Sequence, residues 1–287
     1  NLERPIYIAV SVGRENQLNM EYDPTDYYRE ARLRDSMDVR NNNAMGLWLL
    51  RRGKFVEAES CFRNAVKRLT ERNPNPYDGE PFYNLGLSLK FQGKIDEAYK
   101  NLYKSCWNSA WQDSGYFSLA QISSQRGNWT EALYEIDRSL DRNASNMSAL
   151  HLKTVILRNL GRMDAALVLI GDILARDKFN FGVLYEKYLI TLDTKVQEDM
   201  VVRMRDDSHN YQELALDYLA AGQYAECIGL LRLASTVCTK VSPMVWYYIG
   251  YASQLAGDTA GAAEAFARGA GHDPEYCFPN RIEALLA

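Results

Sequence analysis

Residues 82–93 read Phe-Tyr-Asn-Leu-Gly-Leu-Ser-Leu-Lys-Phe-Gln-Gly, residues 116–127 read Tyr-Phe-Ser-Leu-Ala-Gln-Ile-Ser-Ser-Gln-Arg-Gly, and residues 150–161 read Leu-His-Leu-Lys-Thr-Val-Ile-Leu-Arg-Asn-Leu-Gly. The three windows are in register at a spacing of 34, and each closes on a glycine: Gly93, Gly127, Gly161. Ala98, Ala132 and Ala166 follow in the same phase, so one pattern of small and large residues runs unbroken from Phe82 to Asp177. Apolar residues three and four apart make each window one face of a helix, and the glycine ends it. A strict period of this length marks a protein built from stacked helix-turn-helix units.

Working outward, the same pattern recurs on both sides. Gly46, Leu49, Gly53, Ala58, Phe62 and Ala65 form a unit before the regular stretch. Leu214, Ala215, Tyr218, Gly222, Cys227, Leu231 and Ala234 form one after it, then Trp246, Ile249, Gly250, Gly257, Ala262, Phe266 and Pro274 another. Two departures interrupt the period. Gly46 to Gly86 spans 40 positions, because Asn73–Pro74–Asn75–Pro76 inserts a break that no helix can continue through. Gly161 to Gly222 spans 61 where two periods need 68, so the helices expected at Phe181–Leu192 and Lys195–Met204 form a shortened pair lacking its turn glycine.

At the ends, Asp23–Pro24–Thr25 opens a helix to about Asp35 that matches the second helix of a preceding unit. Ile6, Ile8, Val10 and Val12 alternate with Tyr7, Ala9 and Ser11, which predicts a strand, or else an extended apolar tail. The organisation expected is an extended segment over 1–22, read as the remnant of an upstream domain, then helical repeats over 23–287. Within the latter, an irregular pair lies near 179–208 and a capping helix near 279–287. The start at Asn1 suggests a piece of a longer chain.

Lys and Arg number 33 against 37 Asp and Glu, interspersed, giving a net charge of −4. There is no basic stripe for nucleic acid, and apolar runs such as Leu167 to Ile170 are far too short for a membrane span. Five scattered cysteines, Cys61, Cys106, Cys227, Cys238 and Cys277, read as buried thiols of a reduced, cytoplasmic chain. His151, His209 and His272 sit in different units without metal-ligand spacing, and read as surface or groove residues; no metal or cofactor is expected. Asp206–Asp207–Ser208–His209 holds triad-type residues in one loop, but sequence neighbours do not make a triad. No catalysis is expected. Trp107 and Trp111, four apart, read as packing between repeats, with a hot-spot patch for a partner as the alternative.

On these small and large positions, the chain resembles the tetratricopeptide repeat family from about residue 24 to 274. The resemblance implies an all-α, right-handed superhelix of about six helix pairs plus flanking helices. Its first helices would line a concave groove for a protein or peptide, or for another domain of the same chain. Carried onto this sequence, the groove positions are Arg40, Asn43, Leu47 and Arg51, then Tyr83, Leu87, Lys90 and Phe91, then Phe117, Gln121 and Gln125. They continue with His151, Val155, Arg158 and Asn159, and end with Gln212, Leu216, Tyr247, Tyr251 and Gln254. The family's clamp for acidic chaperone tails is disfavoured, since Asn43 and Asn84 are present but Leu47 and Ser114 stand where Asn and Lys are needed. Asn73–Gly79, Phe82–Gly86 and Tyr276–Arg281 also resemble large bacterial proteins with a β-rich, sugar-enzyme-like domain ahead of such repeats. The implied functions are a non-catalytic binding scaffold or, alternatively, the accessory region of a carbohydrate-active enzyme. Self-association through an exposed strand or aromatic patch is a third expectation.

Overall fold

The computed structural model describes residues 6, 8–12, 23–275, 277 and 281–287, and every regular element among them is helical. Two compact units are present, Asn1–Leu119 and Ala120–Ala287. The first contains α1 (described at positions 6 and 8–12), α2 (Thr25–Arg34), α3 (Val39–Leu50), α4 (Phe55–Thr70), α5 (Glu80–Phe91) and α6 (Ile95–Ser105). A 3-10 turn, Ser109–Trp111, leads into α7 (Gln112–Gln125), within which the unit boundary falls. The second unit continues with α8 (Trp129–Leu140), α9 (Met147–Asn159), α10 (Met163–Arg176), α11 (Phe181–Thr191) and α12 (Thr194–Met204). It ends with α13 (Ser208–Ala220), α14 (Tyr224–Val237), α15 (Pro243–Leu255), α16 (Thr259–Ala270) and a 3-10 turn, Ile282–Leu285.

The turn glycines do the work their spacing predicts. Gly93 joins α5 to α6 with φ +73°, a left-handed conformation that costs any L side chain about 1–2 kcal/mol. Gly53, Gly127, Gly161, Gly222 and Gly257 share that sign of φ. The small helix residues act differently: an added Cβ at Gly46 would lie 2.5 Å from the Phe62 ring, and one at Gly250 equally close to Phe266. Phe62, Ala58 and Ala65 are wholly buried as a result, and burying a phenylalanine contributes about 2–3 kcal/mol.

The N-terminal strand expectation is overturned. Ile6 and residues 8–12 are helical, and Ile6, Ala9 and Val10 are buried against Tyr28, Ala31, Ala44 and Trp48 while Ile8 is exposed. The buried set follows i, i+3, i+4, a helical stripe; the alternation of Ile and Val with Tyr, Ala and Ser misled because Ala9 is itself small enough to pack. Thus α1 supplies the partner that α2 lacked in the sequence. Residues 13–22 lie outside the described set, as do Pro279 and Asn280 at the expected capping helix, where the described portion is the four-residue turn Ile282–Leu285.

The shortened pair is present as α11 and α12, and its missing glycine has a visible cost. Leu192 takes φ +55° at the end of α11, and Arg205 takes φ +58°, ψ −166° at the end of α12. The second of these lies in a region that essentially only glycine visits.

Trp107 and Trp111 are not a packing pair on one helix. Trp107 lies beyond the end of α6 and is 59% exposed, with the Lys104 ammonium 3.6 Å over its ring; Trp111 closes the following 3-10 turn.

Candidate interaction surface

In the first unit, several groove positions serve the fold itself. Asn43 Nδ2 donates to Glu80 Oε1 at 2.7 Å, and Asn84 Nδ2 donates to Asn43 Oδ1 at 2.8 Å. Both asparagines are 3% exposed, so they fasten α3 to α5 rather than face solvent. Tyr83 packs its ring 4.8 Å from Trp111 and is hydrogen-bonded to Ser118; burial pushes its phenol pKa up. Phe91 stacks on Phe55 at 5.5 Å. Leu87, Lys90 and Phe117 are half-buried and Arg51 is exposed.

Beside them, Glu59 collects Lys94 Nζ and Arg63 Nε, each at 2.7 Å, and Gln92 Nε2 at 2.8 Å. Burial works against its charge, but the hydrogen bonds from Lys94, Arg63 and Gln92 outweigh it and bring its pKa down to about 2.

The second unit is arranged otherwise at the end of α7 and along α9, whose groove positions meet its own α11, α13 and the start of α14. His151, 4% exposed, sits edge-on to Tyr218 with ring centroids 5.0 Å apart, and its Nδ1 lies 3.8 Å from Asp217 Oδ2. Gly182 makes room for that ring, since a Cβ there would fall 2.8 Å from it. Arg158 Nε donates to Glu186 Oε2 at 2.8 Å and Arg158 Nη2 to Glu226 Oε1 at 2.8 Å. Tyr218 donates its hydroxyl to Glu186 Oε1 at 2.7 Å. Asn159 donates to Gln223 Oε1 at 3.1 Å, and Gln125 to the Ala220 carbonyl at 2.8 Å.

Burial of Arg158 opposes its charge, yet the paired Glu186 and Glu226 hold it firmly protonated; burial pushes the Tyr218 phenol well up. Val155, Gln212 and Leu216, also expected in the groove, are buried as well. The physical origin is the seven-residue deficit between Gly161 and Gly222, 61 positions against 68, which falls on the short helices α11 and α12.

Among the remaining positions, Gln121 and Tyr251 are half-buried, and burial raises the Tyr251 phenol. Tyr247 is half-buried too, 6.4 Å from the Phe266 ring. Sequence reasoning named His151 and Arg158 but missed Glu186, Asp217 and Glu226. Glu186 carried a signal: a carboxylate inside the apolar run Phe181–Leu192 requires a buried partner. An open cleft of about 530 Å³ lies between α8, α9 and α10, floored by Leu133, Leu157 and Leu169 and crossed by a 2.7 Å Asp137–Lys153 ion pair.

The triad-type residues have structural duties. Asp207 caps α13 through the His209 backbone N–H, Asp206 accepts from Thr239, and Ser208 Oγ accepts from the Ser242 N–H at 3.2 Å. Trp246 Nε1 donates to His272 Nε2 at 3.0 Å. Among the described residues no group of His, Cys, Asp and Glu is placed to hold a metal ion, and no helix is long and apolar enough to cross a membrane. All five cysteines are free thiols, four of them buried.

No protein-family model matches the chain. Among solved structures, the C-terminal part of a TPR repeat-containing protein from Cytophaga hutchinsonii is similar over 98% of this chain and 99% of its own, with a TM-score of 0.56 at 11% identity. A tetratricopeptide repeat protein from Parabacteroides merdae covers 86% of this chain and 97% of its own, TM-score 0.53, at 18% identity. YrrB, described as a TPR protein with an unusual peptide-binding site, covers 65% of this chain and 92% of its own, TM-score 0.54, also at 18% identity. What is shared at these identities is the fold, and the fold of this chain is that of tetratricopeptide repeat proteins.

Proposed function

We propose that the chain is a non-catalytic scaffold that binds a protein or peptide segment. The observation that carries this is the state of the groove positions of the first unit: Arg51, Leu87, Lys90 and Phe117 keep exposed surface, whereas Gln125 and Arg158 in the second unit are engaged by that unit's own α13 and α14. A rigid face of mixed apolar and basic character suits a peptide chain, which offers apolar side chains and carboxylates together. The peptide-binding site of YrrB, a neighbour in fold, supports the same reading.

The test is capture of binding partners by the full chain, compared with a double variant, Leu87→Ser with Phe117→Ala. Tyr83 is unsuited because Trp111 and Ser118 rest on it. Loss of the captured proteins with an unchanged thermal unfolding curve supports the proposal. Unchanged capture by the variant overturns the assignment of that face.

A further inference from the structure

In the first unit, the insertion that breaks the repeat period lies against the end of α6. Lys104 Nζ donates to Asn75 Oδ1 at 2.6 Å, and Asn108 Nδ2 donates to the Tyr77 carbonyl. The loop is therefore held at two points on the same side of the protein as the last turn of α6. Three large aromatic residues emerge there with half or more of their surface in water: Tyr77 at 86% exposure, Tyr103 at 50% and Trp107 at 59%.

Tyr103 and Trp107 are four apart in sequence, and Trp107 is fixed by the Lys104 ammonium 3.6 Å over its ring. Lys100, also exposed, precedes Lys104 by one helical turn. Isolated exposed apolar residues need no explanation, but three aromatic side chains around a pinned loop form a patch of the kind that carries binding energy.

We propose that this patch docks an extended, proline-containing peptide segment bearing carboxylates. Aromatic surfaces recognise polyproline II chains because proline rings stack on them and the peptide arrives already ordered. Exposed Lys100, on the same helix one turn before Lys104, complements an acidic residue beside the prolines, while Lys104 holds Asn75 and Trp107 in place. A phosphate-backbone ligand fits less well, since the whole chain carries a net charge of −4. The proposal rests on the scaffold reading but places a second site outside the first-helix face.

The probe is a capped, fluorescein-labelled peptide Asp-Pro-Pro-Leu-Pro-Asp-Pro-Pro, with two controls, alanine for proline and lysine for aspartate. Fluorescence anisotropy with the full chain is expected to show saturable binding with Kd below about 1 mM. Each control peptide should bind at least ~10-fold more weakly, as should the parent peptide to Trp107→Ala or Tyr103→Ala. Lys100→Glu should weaken the aspartate peptide and strengthen its lysine counterpart.

Both aromatic variants alter exposed side chains, and an unchanged unfolding midpoint confirms that they fold. Absence of saturable binding overturns the proposal, as does binding indifferent to Trp107→Ala and Tyr103→Ala. Binding lost instead in Leu87→Ser with Phe117→Ala overturns this site while leaving the scaffold reading intact.

Discussion

Gln125 donates its side-chain amide to the backbone carbonyl of Ala220 at 2.8 Å, across 95 residues of sequence. Gly222 stands beside it, where a Cβ would lie 2.8 Å from Gln125 Cα. The end of α13 is thus set closely against the end of α7.

Gly222→Ala and Gly161→Ala together measure that contact. Both glycines have positive φ, +75° and +71°, but only Gly222 has neighbours within 4 Å of the added carbon. Gly161→Ala should cost about 1 kcal/mol for the left-handed backbone. Gly222→Ala should cost about 3 kcal/mol, the excess arising from overpacking against Gln125. Urea unfolding of both variants checks this, and equal costs would show that the α7–α13 approach is looser than described.

The buried ion network should be sensitive to any single deletion. Glu186 has no exposed side-chain surface and meets both Arg158 and the Tyr218 hydroxyl. Glu186→Gln should destabilise by about 3 kcal/mol, since Arg158 keeps only Glu226 in a site already desolvated. Tyr218→Phe removes one hydrogen bond to a charged group and should cost about 1.5–3 kcal/mol. Denaturation midpoints with unchanged m values give both numbers.

Acid should reveal Glu59. Its carboxylate is held at a pKa of about 2 from an ordinary 4.5, the hydrogen bonds of Lys94, Arg63 and Gln92 outweighing burial. A depressed folded pKa means that stability is fully present above the unfolded value and is lost as pH falls from about 4.5 through about 2. Glu59→Gln should flatten that part of the stability profile and lower stability near neutral pH. A variant whose acid limb matches the parent would exclude Glu59 as the group responsible.

Two substitutions should stabilise. Leu192 and Arg205 are exposed and hold positive φ of +55° and +58° at the ends of α11 and α12. Leu192→Gly and Arg205→Gly should each raise stability by about 1 kcal/mol, relief of strain exceeding the added entropy of the unfolded chain. Calorimetry on the single and double variants tests this; a fall in the unfolding temperature in either would mean that the backbone there is unstrained.

The regular part of this architecture was legible because the period-34 glycines and alanines carry steric duties that no other residue performs equally. Gly93, Gly127 and Gly161 mark turns, and Gly46 faces Phe62 as its spacing implies. The N-terminal helix was misread because Ile6, Ala9 and Val10 satisfy a helical stripe while the larger residues around them alternate. At the candidate site, repeat position identified His151 and Arg158 but not their occupancy. Whether a groove position meets solvent depends on where a helix 60 or more residues later returns, as with Arg158 and Glu226, 68 apart, and local pattern does not encode that. The deficit between Gly161 and Gly222 was the visible trace of it.

The covering of the α9 groove positions by α13 and the start of α14 is tested most directly by a double-mutant cycle on Arg158 and Glu226. Their side chains pair at 2.8 Å, and nothing in an open face would bring them together. Unfolding free energies of Arg158→Ala, Glu226→Ala and the double variant should give a coupling of about 1–3 kcal/mol. Additivity within about 0.5 kcal/mol would contradict the closed face and return His151, Arg158 and Asn159 to the groove.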